Sequence, residues 1–301
     1  MILAIVTPYY FPSVRGNSIT VQRIESGLRE HDLTVEVFSL DREDRDAILA
    51  GIRRLRPDVM HGFHATKAGP LAMEAAGDLG IPAVVTLTGT DVNQDLFDVT
   101  WRATVLSVLE AARAIVVFHE AICDKLLREA PSLRPRVHVI SQAVQCDEKH
   151  YDLRGRLGLD HRDFVVFQAA GIRRVKNIPV LIPLLAALHQ RYPRLRYVLA
   201  GPIIEEDKGE RVEAMLRNLP WAFYLGAVSH EEICAILSQV EAVVNSSLSE
   251  GGMSNAVLEA MSKGVPVLAS DIEGNARSLW TGTMGCCSGP KRTSRGRWSA
   301  C

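Results

Sequence analysis

The sequence predicts an α/β protein of two domains, each built on a parallel β-sheet, and three observations carry that expectation. Short apolar, β-branched runs alternate with amphipathic stretches through most of the chain, which is the pattern of consecutive β-α-β units. At 301 residues the chain is twice the length of a domain of about 150 residues. Between Ala143 and His161 the alternation lapses into charged residues, as a linker would. The expected division is a first domain over 1–145, a linker over 146–160, a second domain over 161–278 and an irregular tail over 279–301.

In the first half, strands are expected at Ile2 to Thr7, Thr34 to Ser39, Asp58 to Gly62, Ala83 to Leu87, Ala114 to Phe118 and Val137 to Ile140. In the second half they fall at Phe164 to Ala169, Arg196 to Ala200, Ala222 to Leu225, Ala242 to Asn245 and Val265 to Ser270. Intervening segments show helical spacing: Val21, Ile24 and Leu28 share one face, as do Val180, Leu184 and Leu188. Pro183 lacks an N–H and crowds the preceding turn, so that second helix is expected to kink or start late. From about Leu279 the chain loses all periodicity and becomes rich in Gly, Ser, Arg and Cys. A doubly wound domain would continue with more helix there. The second domain is therefore expected to be incomplete, its tail either truncated or frame-shifted, or else an ordinary disordered terminus.

Composition narrows the function. A formal net charge of -1 argues against an electrostatic nucleic-acid binder, so an acidic ligand needs local positive charge. Met1 to Val6 is apolar without a basic region before it and reads as a buried strand. No later run reaches the roughly 18 uninterrupted apolar residues of a membrane helix, so no integral membrane segment and a cytoplasmic location are expected. The six cysteines show no metal-ligand spacing among Cys123, Cys146 and Cys234, and neither zinc nor a disulfide framework is expected.

The most informative stretch is Ser246 to Ser270, which reads as strand end, glycine loop, helix and strand. Gly251 and Gly252 permit tight turns, Ser254 or Asn255 caps a helix that stops at Gly264, and the helix start presents backbone N–H groups at a strand's carboxyl end. Such an end attracts phosphate through unsatisfied donors and the helix dipole. Glu259 lies one turn into that helix, where a carboxylate can accept two hydrogen bonds from a ribose diol. Glu250 precedes it on the loop. A second cluster, Gly171 to Asn177, places Arg173, Arg174 and Lys176 directly after the strand Phe164 to Ala169, where cations can neutralise a leaving diphosphate.

The text NSSLSEGGMSNAVLEAM, with GTDVNQD upstream, resembles the retaining glycosyltransferases of family 4, also called glycosyltransferase group 1, and within them the glycosyltransferase one domain-containing proteins. The resemblance covers Met1 to about Asn275 and is stronger in the second half. It implies a GT-B fold of two facing Rossmann-like, doubly wound domains. It also implies transfer of a sugar from a nucleoside diphosphate sugar to an acceptor that the sequence does not name, with retention at the anomeric carbon. No cofactor and no metal are implied, and no Asp-x-Asp motif is visible. By the same resemblance Glu250 would contact the transferred sugar, Glu259 the nucleotide ribose, and the amides of Met253, Ser254 and Asn255 the diphosphate, with Gly252 allowing close approach. Arg173 and Lys176 would be the loop cations, with Arg174 able to replace Arg173. Eight residues separate Glu250 from Glu259 where the family has seven, so a bulged loop is expected.

In the first half, YYFPSVRGNS follows the first strand, and Gly16 and Asn17 are candidates for donor contact, a simple turn at Gly16 being the alternative. In Thr86 to Asp91 the family often has a His before the Gly; here Thr88 stands in that place and Asp91 becomes the acceptor-side candidate, unless it caps the following turn. His61 and His64 would bind a metal only with further ligands. The other class of function is a catalytically inactive relative that binds a nucleotide or a partner, which the tail, the extra glycine and Thr88 would suit. The oligomeric state is not fixed by the sequence.

Overall fold

The computed structural model of the protein describes residues 1–12, 16–146, 149–250, 252–272 and 275. The tail expected from 279, the cysteines beyond it and Gly251 lie outside these residues. The chain divides into two compact units between Ala143 and Val144.

In the first unit, β1 (Ile2–Thr7), β2 (Thr34–Ser39), β3 (Val59–Phe63), β4 (Ala83–Thr86), β5 (Ala114–Val117) and β6 (Val137–Val139) form one parallel sheet in the order β2-β1-β3-β4-β5-β6. In the second, β7 (Phe164–Ala169), β8 (Leu195–Ala200), β9 (Ala222–Tyr224), β10 (Ala242–Asn245) and β11 (Val267–Ala269) form another, in the order β11-β10-β7-β8-β9. These strands are apolar on both faces, so both faces must be covered. Successive residues of β7 point to opposite sides. Val165 and Phe167 pack with Ile233, Ile236, Val257 and Ala260, from the helices His230–Leu237 and Asn255–Ser262. Val166 packs with Leu181, Leu185, Val212 and Leu216, from the helices Leu181–Arg191 and Glu206–Leu216. The second sheet is thus doubly wound, and its strand order reverses between β7 and β10.

Three expectations change. Residues 151–157 do not form a spacer: Tyr151 and Leu153 are buried in the second unit, in a short helix Leu153–Leu157 capped by Asp152. Two of the charges in this stretch are tethers: Asp152 caps the helix and Arg154 pairs with Glu241 at 2.6 Å. The Leu181–Arg191 helix starts late, with Pro183 in its first turn where a missing N–H is harmless. Its buried residues are Leu181, Ile182 and Leu185, whereas Val180, Leu184 and Leu188 are exposed, so the face expected to be buried is the outer one. Finally, Cys146 and Cys234 form a disulfide across 88 residues of sequence, a pairing the fold creates and spacing could not reveal. Among the described residues, no helix is long and apolar enough to cross a membrane.

Gly201, following β8, has φ 147°, and a Cβ there would meet Ala170 O at 2.2 Å. Gly201→Ala is expected to destabilise the second domain by about 3 kcal/mol, read as a lower urea midpoint; an unchanged midpoint would contradict this packing at the strand ends.

Candidate functional site

In an open parallel sheet, the loops leaving two neighbouring strands diverge where the strand order reverses, which opens a crevice at their carboxyl ends. In the second unit those strands are β7 and β10. The loop after β7 carries Arg173, Arg174 and Lys176, and the loop after β10 carries Glu250. The structure joins the two: Lys176 Nζ donates to Glu250 Oε1 at 2.5 Å, with the side chains only 16% and 12% exposed. Glu250 Oε1 also accepts from Ser247 Oγ at 2.6 Å and from Asn245 Nδ2 at 3.4 Å. Burial by itself pushes the Glu250 carboxyl up, but the Lys176 charge and the hydrogen bonds from Lys176, Ser247 and Asn245 outweigh it and hold it below the usual glutamate value.

Beneath the pair runs a buried polar chain. Tyr197 OH on β8 donates to Gln168 Oε1 on β7 at 2.6 Å, Gln168 Nε2 donates to Ser246 Oγ at 3.0 Å, and Ser246 Oγ donates to Lys176 O at 2.7 Å. Leu248 N adds a bond to Val175 O at 2.8 Å, so both loops are tied to each other at main-chain level. A buried polar network is stable only when its members are paired, which makes this one specific for a single loop arrangement. Arg173 and Arg174 are exposed, and the Arg174 amide is held by Glu205 at 3.0 Å.

Gly252 and Ser254 are buried at the entry to the helix Asn255–Ser262, with Met253 half-buried between them. Ser254 occupies the cap position, yet its hydroxyl caps no amide and accepts instead from Asn245 Nδ2 at 2.9 Å. Glu259 is 3% exposed and accepts from His230 Nε2 at 3.0 Å.

The first-half candidates group separately, at the carboxyl ends of the first sheet. Gly16 opens the helix Gly16–Glu30, and Asn17 Nδ2 reaches Thr88 Oγ1 at 3.5 Å, linking the loops after β1 and β4. Asp91 is fully buried, and its carboxylate accepts from the amides of Ala65, Gly89 and Val92 at 3.0, 2.7 and 3.0 Å, and from Thr88 N. It therefore organises a turn, as the capping alternative held, and not an acceptor site, because its lone pairs are turned inward onto these amides. His61 bonds Thr86 at 2.7 Å, and lost solvation lowers its pKa to about 4. Among the described residues no group of three His, Cys, Asp or Glu side chains is placed to hold a metal ion.

Sequence reasoning missed Gln168, Tyr197, Asn245, Ser246, Ser247 and His230. A signal existed for two of them: Gln168 and Asn245 are the polar residues near the ends of the otherwise apolar strands FVVFQA and AVVN.

The two halves match two family profiles: residues 36–148 match "Glycosyltransferase Family 4" and residues 162–295 match "Glycosyl transferases group 1". Among solved structures, Anabaena HepE in complex with UDP and glucose superposes with a TM-score of 0.73, covering 93% of this chain and 83% of that one at 19% identity. This is the GT-B fold. The chain is also 31% identical over 203 residues to the glycosyltransferase 1 domain-containing protein 1 of Xenopus tropicalis, covering 65% of this chain. It spans 59% of that relative's length. With the alpha-D-kanosaminyltransferase of Streptomyces kanamyceticus it shares 26% identity, over 82% of this chain and 68% of the relative.

Because the folded Glu250 value lies below the unfolded one, its contribution to stability is present above the ordinary glutamate range and is lost as pH falls through the depressed value. Glu250→Gln is expected to cost about 2 kcal/mol in urea unfolding at pH 7. The gap between variant and parent should close as pH falls below the ordinary glutamate range and through the depressed value. A gap that does not change with pH would contradict the ion pair.

Proposed function

We propose that the protein is a retaining, metal-independent glycosyltransferase that binds a nucleoside diphosphate sugar in its second domain. The observation that carries this reading is the Lys176–Glu250 pair at the β7/β10 reversal, beside the start of the helix Asn255–Ser262. A diphosphate needs cations and N–H donors, and this is where the second domain gathers both. In this reading Lys176 and Arg173 face the diphosphate, with Arg174 the other cation of the loop. The amides of Met253, Ser254 and Asn255 approach it across Gly252. Glu250 takes hydroxyls of the sugar, and Glu259 accepts from the ribose.

The chemistry follows from charge. As the anomeric carbon–oxygen bond breaks, its electron pair moves onto the diphosphate, and the developing charge is met by Lys176, by Arg173 and by the helix end. These supply what a divalent metal would otherwise supply. The acceptor hydroxyl bonds to the anomeric carbon on the face the diphosphate leaves, and its proton passes to the leaving phosphate oxygen. No separate base is required. Glu250 serves twice: it holds Lys176 in place before the donor arrives, and it orients the sugar afterwards. Holding a cation preformed at the site of developing charge lowers the reorganisation needed during reaction.

Two outcomes are expected. Titration calorimetry against UDP, GDP and ADP should show binding selective for one nucleotide and unchanged by a chelator; binding that disappears with the chelator contradicts metal independence. Lys176→Ala should lower hydrolysis or transfer of the corresponding nucleotide sugar by about 10²- to 10³-fold. Near-normal turnover in that variant would remove Lys176 from the site. Nucleotide occupancy without any product from the parent chain would favour the inactive, binding-only relative.

A further inference from the structure

His230 is the first residue of the helix His230–Leu237, on a different element from every candidate considered above. Its position is fixed from three sides. A capping box locks the helix start: Ser229 Oγ accepts from the Glu232 amide at 3.3 Å and Glu232 accepts from the Ser229 amide at 3.0 Å. One turn on, Cys234 Sγ lies 4.0 Å from His230 Nε2, and that sulfur is held by the disulfide to Cys146. The third constraint is Glu259 itself, whose Oε1 accepts from His230 Nε2 at 3.0 Å. A carboxylate only accepts, so Nε2 is the nitrogen that carries the proton.

We propose that His230 is the positioning residue for Glu259, fixing the carboxylate in the orientation that receives the ribose diol. This rests on the reading of Glu259 as the ribose ligand. A glutamate side chain turns about several bonds, and two hydroxyl contacts are made together only if its oxygens are held in one plane. An imidazole anchored by the capping box and backed by a disulfide holds one of those oxygens from a different helix. In this proposal His230 acts on the nucleotide only through that carboxylate. Its effect is therefore confined to the ribose hydroxyls and is not spread over base and phosphate.

The test is calorimetry on the full chain with whichever of UDP, GDP and ADP binds most tightly and with its 2′,3′-dideoxy form. His230→Ala should weaken the ribonucleotide about tenfold while leaving the dideoxy form within about twofold of the parent, and His230→Gln, which keeps an N–H donor, should recover most of the loss. Equal loss on both nucleotides, or loss on neither, overturns the positioning role; the former marks a purely structural histidine. Glu259→Ala separates this from the underlying reading. If that variant still prefers the ribonucleotide as strongly as the parent does, the ribose assignment itself fails. Absence of binding by any of the three nucleotides overturns both.

Discussion

A parallel sheet wound outward in both directions from a central strand must send the loops after two adjacent strands to opposite faces. In the second domain those strands are β7 and β10, and every feature of the candidate site follows from that reversal. The loop after β7 leaves toward the helix Leu181–Arg191 and the loop after β10 toward the helix Asn255–Ser262, on opposite sides of the sheet. The space between them is open for topological reasons, whatever residues line it. Sequence decides only what is placed there. Here it places a lysine on one loop and a glutamate on the other, and their attraction spans the gap the topology creates.

A crevice alone would leave two floppy loops. The Tyr197–Gln168–Ser246 chain removes that freedom by anchoring both to the sheet beneath, and burial drives the Tyr197 phenol pKa well above its usual value, so it remains a hydrogen-bond donor. Gln168 lies next to the end of β7 and Ser246 just past the end of β10, while Tyr197 reaches Gln168 from within β8. The same layering recurs one step outward. Asn245 joins Glu250 to Ser254, and His230 joins the helix start at Ser229 to Glu259. Rigid supports behind a binding carboxylate keep it at the geometry its ligand requires.

Much of this was legible in the sequence because strand periodicity in a doubly wound sheet is strong. Ile2–Thr7, Thr34–Ser39, Phe164–Ala169 and Ala242–Asn245 occur at their expected bounds, and the remaining strands shift by one or two residues at their ends. Lys176 and Glu250, 74 residues apart, stand out in the sequence separately, by strand-end position and by motif, and the fold brings them into contact. What was not legible depended on tertiary context. The Val180, Leu184 and Leu188 stripe has the right period but the wrong face, because helical spacing does not say which of two apolar stripes meets the sheet. Asp91 reads equally as a reactive acid or a turn clamp until its amide partners are seen. His230 carries no local signal, since its partner lies 29 residues away on another helix.

The proposed function turns on whether the reversal between β7 and β10 receives a nucleoside diphosphate. A crystal structure of the chain with its preferred nucleoside diphosphate tests it most directly. Diphosphate oxygens are expected within hydrogen-bonding distance of Lys176 Nζ and of the amides of Met253, Ser254 or Asn255, with the ribose hydroxyls on Glu259. A nucleotide bound elsewhere, or one in this crevice with Lys176 still paired only to Glu250 and Glu259 untouched, would contradict it.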